Sequence, residues 1–221
     1  MGWIFEDNMI SAVIFDLDGL LADTEKLHLR SYKTVFSKIG FELSDEEYAN
    51  HWIRDGQGTD AFIAKKNLSV DPDVVRRDKA RVYKKLVSLS AELMPGAREL
   101  LCDLKGKKTM ALATSSHPKD AHEVLKALDI EDFFSCVAAK FSVERIKPFP
   151  DIFLYVAKEM NIPPENCLVL EDAEKGILAA DAAGMKSIAV PNIHTMGNDF
   201  SKATLVVKSL EEVSYELIDQ L

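Results

Sequence analysis

The chain has 221 residues, of which 47% are hydrophobic and 29% are charged, as expected for an α/β protein with a sizeable core. Its formal net charge of -9 and its pI of about 5.1 give it no general attraction for nucleic acid or for an anionic membrane. We therefore expect neither as a partner. Any anionic ligand must be bound by a local cluster of donors or by a metal.

Cysteine use and the N-terminal segment favour a cytoplasmic protein. Cys102, Cys136 and Cys167 are odd in number and form no C-x-x-C pair, which argues against a disulfide framework or a zinc site. The segment Met1–Asp7 carries acid where a signal peptide carries base. No apolar stretch approaches the roughly 20 residues of a membrane span. We expect a monomer or a weak dimer.

Short apolar runs along the chain predict the buried strands of a parallel sheet. Helical patterns lie between most of them, so the sequence predicts a doubly wound, Rossmann-like α/β core with helices on both sides. The runs are Ser11–Phe15, Thr109–Ala113, Cys136–Ala139, Cys167–Leu170, Ser187–Val190 and Thr204–Val207.

Three helical patterns accompany the later strands. One face is marked by Ile152, Val156 and Met160, and a second by Ile177 and Ala180 with Gly184 as its C-cap. A final amphipathic helix is predicted by the apolar residues Leu210, Val213, Leu217 and Leu221.

The stretch from about Glu25 to Ala91 interrupts this alternation and contains no convincing strand. A helical stripe begins at Leu29 and is ended by Gly40, and a second pattern runs from Val74 to Leu86. The sequence therefore predicts an all-helical insert between the first strand and the rest of the sheet. Met94-Pro95-Gly96 marks the return to the core.

Asp16-Leu17-Asp18-Gly19 follows the first predicted strand, where open α/β sheets place their ligands. Both carboxylates reach one site if the backbone turns at Gly19. The alternative is an ordinary turn rich in Asp and Gly. A calcium loop is excluded, because Leu21 and Leu27 replace the glycine and glutamate that it requires.

Thr114-Ser115-Ser116 follows the second predicted strand. Hydroxyl and backbone N–H groups at such a turn form an anion cradle, although plain helix capping explains the same residues.

Two further motifs add charge. Lys147, before Pro148, is placed to neutralise a phosphate or to fix a carboxylate, and the alternative is a solvated surface lysine. Glu171 and Asp172 end the fourth predicted strand, where adjacent carboxylates need a cation or hydrogen bonds. Such hard oxygen ligands suit Mg²⁺, and a helix cap at Asp172 is the alternative. The order of the motifs is more specific than any one of them.

With these motifs the chain resembles the haloacid dehalogenase superfamily of phosphohydrolases, and the match covers essentially the whole core. It is most similar to the branch containing beta-phosphoglucomutase, phosphoglycolate phosphatase and pseudouridine-5'-phosphatase, which carries a helical cap after the first strand. The residues that carry the resemblance are Asp16–Glu25, Leu93–Gly96, Ala113–Ser116, Lys147–Phe153 and Leu170–Gly176.

The resemblance implies a catalytic core from residues 1–22 and 92–221, and a helical cap from residues 23–91. It implies a Mg²⁺-dependent phosphatase for small phosphorylated metabolites that works through an aspartyl-phosphate. Asp16 would be the nucleophile and Asp18 the acid and base. The implied phosphate ligands are Thr114, Ser115 and Lys147, and the implied metal ligands are Asp16, the main-chain carbonyl of Asp18, and Asp172, with Glu171 close by.

In such proteins the cap selects the substrate. Two glycines interrupt the helical pattern at Arg54–Thr59, which makes Arg54 and Gln57 candidate substrate contacts, or parts of an ordinary turn. His28 is a third candidate, with a packed or solvated histidine as the alternative. Ile146 and Phe149 depart from the family pattern, so we expect a different shape for the loop from Phe141 to Ile146.

Other functions on the same scaffold remain open. A phosphosugar mutase would return the phosphoryl group to a sugar instead of to water. A regulatory protein would have a silenced site, which the acids and the lysine argue against. A dehalogenase is disfavoured because that chemistry dispenses with the second acid and the metal.

Overall fold

The computed structural model describes residues 9–221 and divides them into two compact units. The larger unit contains the described residues up to Ala22 together with Leu93–Leu221, and the smaller unit is Asp23–Glu92. Glu92, where the second part of the predicted core begins, lies in the smaller unit, and its carbonyl accepts a hydrogen bond of 2.9 Å from the Asp23 N–H. The segment Met1–Asp7, whose acidic residues argue against a signal peptide, lies outside the described residues.

The larger unit is built on a six-stranded parallel sheet. Its strands are β1 (Ala12–Phe15), β2 (Thr109–Ala113), β3 (Cys136–Ala138), β4 (Cys167–Glu171), β5 (Lys186–Ala189) and β6 (Leu205–Val206). Their spatial order is β3-β2-β1-β4-β5-β6, so the chain winds outward from β1 in one direction and then in the other. This confirms the predicted doubly wound fold. Each strand end lies within one residue of the predicted run.

Helices complete both units. They are α1 (Glu25–Lys38), α2 (Asp45–Tyr48), α3 (Thr59–Lys65), α4 (Pro72–Ser90), α5 (Ala97–Leu104), α6 (Pro118–Ala127), α7 (Asp151–Met160), α8 (Glu174–Ala182) and α9 (Tyr215–Asp219). Every residue of β1 is buried, because Ala12 and Ile14 pack in a cluster with residues of α7 and α8 while Phe15 contacts Phe134. A strand covered on both faces explains the continuous apolar run.

The smaller unit is helical in its described residues, as the missing strand pattern predicts. Helices α1 and α4 pack against each other, and aromatic side chains such as Phe36 and Phe62 fill the space beside them. The segment Ala49–Arg54 forms a π-helical turn that continues from α2. Arg54 therefore ends a helical segment, and the irregular stretch predicted there is confined to residues 55–58.

The prediction of one amphipathic helix from Leu210 to Leu221 is wrong. The chain forms a 3₁₀ turn at Leu210–Glu212 and then the short helix α9. Ser214 separates them in an extended conformation, and its hydroxyl accepts a hydrogen bond from the Leu217 N–H. Serine stabilises a helix start better than a helix interior, so the helix begins there. Within residues 9–221, no helix combines the length and the apolar character needed to cross a membrane.

Candidate active site

Three strand ends bring the predicted acids and hydroxyls to one edge of the sheet. In the sheet β1 lies between β2 and β4, with Phe15 in register with Leu112 and Leu170. The carboxyl ends of the three strands therefore lie next to one another at the same edge of the sheet. Asp16 follows β1, Thr114 follows β2, and Glu171 and Asp172 lie at the end of β4.

Lys147 joins this group from the loop between β3 and α7. Its ammonium donates to Asp16 Oδ1 at 2.6 Å, to Glu171 Oε1 at 2.6 Å and to the Ala113 carbonyl at 2.7 Å. Burial lowers its pKa, but the carboxylates of Asp16 and Glu171 outweigh burial and raise the pKa above the usual value. Lys147 is therefore a buried permanent cation, and the interpretation of a solvated surface lysine is wrong.

Asp16, Glu171 and Asp172 form a buried carboxylate cluster whose ligand oxygens lie within 4.8 Å of one another. Burial, opposed by Lys147 and aided by Glu171, raises the pKa of Asp16 to about 7. Burial and then the neighbouring carboxylates also raise the pKa of Asp172. One ammonium thus faces three acids. Ionising all three would leave a surplus of negative charge, and this need together with the all-oxygen ligand set fits a divalent ion such as Mg²⁺.

Glu171 is held by two donors. Its Oε1 accepts from Lys147, and its Oε2 accepts from the Ala173 N–H at 3.1 Å. Its carboxylate packs directly on α8 at Gly176, where an added Cβ would lie 1.9 Å from Oε1. The absence of a side chain at Gly176 therefore provides the space in which Glu171 reaches Lys147.

The second acid of the first motif has a different environment. Asp18 Oδ2 accepts hydrogen bonds from the hydroxyls of Ser116 at 2.5 Å and Thr114 at 3.3 Å. Gly19 adopts a φ of 86°, a left-handed conformation that glycine permits and that turns the chain at this point. Asp16 and Asp18 are thus both directed into the site but have different partners.

The helix-capping explanation of Thr114-Ser115-Ser116 is wrong. The N-cap of α6 is His117, and the hydroxyls of Thr114 and Ser116 point to Asp18 instead. The Ser115 hydroxyl is buried and has no hydrogen-bond partner among residues 9–221. Such a group calls for an explanation, and an oxyanion of a ligand is one that satisfies it.

Beside this turn His117 packs edge-on against Phe141, with ring centroids 5.5 Å apart. Phe141 has a φ of 77° and is largely exposed, so the loop to Ile146 begins with an unusual backbone conformation.

Sequence reasoning missed two polar contacts of the site. The sequence assigns Ser116 only to the anion cradle, whereas in the structure it makes the shorter of the two hydroxyl contacts to Asp18. No motif in the sequence includes Asn192, whose amide donates to Asp172 Oδ2 at 2.8 Å. Its position just after a predicted strand is the only signal that the sequence contains.

The substrate candidates of the smaller unit have local partners. Arg54 is exposed and donates to Asn50 Oδ1 at 2.7 Å, while the Gln57 N–H donates to the His51 carbonyl at 3.0 Å. His28 stacks on Tyr83 with ring centroids 4.1 Å apart and lies 2.7 Å, at Nδ1, from the Lys79 ammonium. His28 is thus packed within its own unit.

Comparison with known proteins identifies the family. The family model described as haloacid dehalogenase-like hydrolase matches residues 13–190, and the chain belongs to this family. A phosphorylated carbohydrates phosphatase from Thermotoga maritima is 34% identical over 81% of this chain and 84% of its own length. A beta-phosphoglucomutase from Bacillus subtilis is 31% identical over 96% and 95% of the two chains.

A solved structure gives the same result. The crystal structure of CbbY from Rhodobacter sphaeroides in complex with phosphate superposes with a TM-score of 0.85 and 28% identity, covering 96% of this chain and 100% of that chain. The predicted family, and the predicted class of enzyme, a phosphoric monoester hydrolase, are confirmed by these relatives.

Proposed function

We propose that this protein is a Mg²⁺-dependent phosphatase of phosphorylated carbohydrates that forms an aspartyl-phosphate on Asp16. The observation that carries the proposal is the buried ammonium of Lys147, 2.6 Å from Asp16 Oδ1 at the carboxyl edge of the sheet. A cation beside a nucleophilic carboxylate is what an attack on an anionic phosphate requires. The relatives named as phosphatases support the reaction class.

The metal is proposed to be held by Asp16, Asp172 and the main-chain carbonyl of Asp18, with Glu171 beside them. When bound, a divalent ion neutralises the phosphoryl oxygens and compensates the surplus negative charge of the cluster. Without it, the raised pKa of Asp16, about 7, leaves much of the nucleophile protonated at neutral pH. The remaining chemistry belongs to side chains of the chain itself.

In the first step Asp16 attacks phosphorus. A bond forms between a carboxylate oxygen of Asp16 and phosphorus, and the bond from phosphorus to the sugar oxygen breaks. Asp18 gives its proton to that oxygen, so the product leaves as an alcohol. Before substrate binds, the hydroxyls of Ser116 and Thr114 donate to Asp18 Oδ2 and so orient its carboxyl group.

In the second step water replaces Asp16 on phosphorus. Asp18, now ionised, takes a proton from the attacking water, and the bond from phosphorus to Asp16 breaks to release inorganic phosphate. Asp16 and Asp18 return to their starting states. Splitting one displacement into two lets the same acid serve both as acid and as base.

Phosphoryl oxygens are proposed to bind to Thr114, Ser115 and Lys147. The unpaired buried hydroxyl of Ser115 supports this role, because a ligand oxygen would satisfy it. These groups contact the phosphate that all substrates share, so they discriminate little among leaving groups.

Substrate choice is therefore proposed for the smaller unit, which we regard as the cap. Arg54 directly precedes the irregular stretch 55–58 and is exposed, and Gln57 lies within that stretch. A guanidinium there is suited to a second anionic group on a substrate. His28 remains a proposed contact through its exposed part, since its ring is stacked on Tyr83.

A phosphosugar mutase is the second candidate, and the similarity to a beta-phosphoglucomutase over nearly the full chain favours it. A mutase passes the phosphoryl group from Asp16 to a sugar and releases little phosphate.

We also propose a cytoplasmic, monomeric or weakly dimeric protein. The three free cysteines support the cytoplasmic location.

The test is a screen of hexose, pentose and hexitol phosphates with Mg²⁺ or with excess chelator. We expect Mg²⁺-dependent phosphate release from sugar phosphates and none from Asp16→Asn. Interconversion of sugar phosphates without phosphate release would favour the mutase. Neither activity, in protein shown to be folded, would indicate a silenced regulatory site and contradict the proposal.

A further inference from the structure

Asn192 connects the loop after β5 to the carboxylate cluster. Its side-chain amide donates to Asp172 Oδ2 at 2.8 Å and to the Gly19 carbonyl at 3.1 Å. Asp172 directly follows β4 and Gly19 lies in the turn after β1, so one amide joins two parts of the site that are far apart in sequence. Both are within the larger unit.

The loop fixes which way this amide points. Asn192 Oδ1 accepts from the His194 N–H at 2.8 Å, and the Asn192 N–H donates to Thr195 Oγ1 at 3.0 Å. The amide oxygen is thereby engaged within the loop, and the two N–H donors are directed at Asp172 and Gly19. Thr195 is buried, which keeps this local turn in place.

Packing at Gly19 shows how closely the groups fit. A Cβ added to Gly19 would lie 2.6 Å from Asp172 Oδ2 and 2.7 Å from Asn192 Nδ2. The carboxylate and the amide therefore rest against the bare backbone of the turn that follows Asp18. Movement of either group would be transmitted to that turn.

We propose that Asn192 is a positioning residue for the metal site. It fixes the rotation of the Asp172 carboxylate and the place of the Asp18–Gly19 turn, which presents the main-chain carbonyl proposed as a metal ligand. The inference rests on the proposed function, because it assumes that Asp172 binds Mg²⁺. A neutral amide suits the task, since it orients a carboxylate without bringing a cation that would compete with the metal.

The same loop offers a matched control. Asn198 Oδ1 accepts from the Glu174 N–H at 3.1 Å, at the start of α8, and makes no contact of this kind with Asp172. Asn198→Ala therefore removes a hydrogen bond between the same loop and the core without removing any contact of the Asp172 carboxylate. Any change in Mg²⁺ affinity in Asn198→Ala therefore measures the effect of a general loosening of the loop.

The test is calorimetric titration of MgCl₂ alone into the wild-type protein, Asn192→Ser, Asn192→Ala and Asn198→Ala. Serine keeps a side-chain acceptor for the His194 N–H but is too short to reach Asp172, so Asn192→Ser remains informative if the alanine variant does not fold. We expect Kd for Mg²⁺ to rise by roughly 10- to 100-fold in the Asn192 variants, as for other groups that orient metal ligands. Asn198→Ala should keep the wild-type Kd.

The dependence of activity on Mg²⁺ concentration provides a second readout. In Asn192→Ser the Mg²⁺ concentration for half-maximal activity should rise in parallel with Kd, and kcat should recover when Mg²⁺ saturates. Equal Kd values for wild-type and Asn192→Ser protein would overturn this inference and leave the proposed function intact. A wild-type protein that binds no Mg²⁺ would overturn the proposed metal and the inference with it.

Discussion

Replacement of Gly176 by alanine tests whether Glu171 holds Lys147 in place. An added Cβ would lie 1.9 Å from Glu171 Oε1, so the carboxylate must leave its position 2.6 Å from the Lys147 ammonium. Breaking a buried ion pair costs about 3 to 5 kcal/mol of unfolding free energy. Alanine in place of glycine in a helix returns about 1 kcal/mol. We therefore expect a net loss of about 2 to 4 kcal/mol, or roughly 4 to 16 °C in Tm.

The assay for Gly176→Ala is calorimetric unfolding combined with kcat/KM on an aryl phosphate. We expect activity to fall with stability, because Lys147 loses one of its two carboxylate partners. Gly197→Ala is the control, since an added Cβ there has no neighbour within 4 Å, and it should leave Tm and activity nearly unchanged. A Gly176→Ala variant as stable and as active as wild type would refute the role assigned to Glu171.

Three further predictions concern the metal, the substrate and pH. Asp172→Ala should weaken Mg²⁺ binding and activity, with partial rescue by added Mg²⁺; full activity in excess chelator would contradict this. Arg54→Ala should lower kcat/KM on the best sugar phosphate by about one to two decades, the value of a charge-assisted contact, and change an aryl phosphate less. Equal losses on both would show that Arg54 is structural. The folded-state pKa of Asp16 is raised to about 7 from 3.8, so between these values the folded state holds more protons at this site and stability falls as pH rises. In metal-free protein Asp16→Asn should therefore gain Tm relative to wild type as pH rises from about 4.5 to 7.5, and a constant difference would contradict the assignment.

Much of this architecture follows from local patterns. Buried parallel strands have continuous apolar sequences, and polar residues directly after them mark the carboxyl edge of the sheet. The sequence therefore predicts that Asp16, Thr114 and Asp172 lie together. Lys147 lies in the loop between β3 and α7, so strand geometry does not predict its position and only its motif indicates a role.

The contacts that sequence reasoning missed depend on the folded chain. The amide of Asn192 contacts Asp172 because hydrogen bonds to Thr195 and His194 fix the turn of the loop after β5. No local sequence pattern predicts that turn. The interruption of the predicted C-terminal helix has a local cause, because Ser214 caps the start of α9. The apolar stripe from Leu210 to Leu221 continues across this position and therefore predicts one unbroken helix. Periodicity records which residues are buried and does not record where a helix starts.

If Asp16 is the nucleophile, it becomes phosphorylated during turnover. The most direct measurement is acid quenching of the enzyme at steady state with a sugar phosphate and Mg²⁺, followed by peptide mass mapping. We predict one phosphoryl group on the peptide containing Asp16, lost in excess chelator and absent from Asp16→Asn. Phosphorylation of another residue, or wild-type turnover by Asp16→Asn once deamidation to Asp has been excluded, would contradict the account.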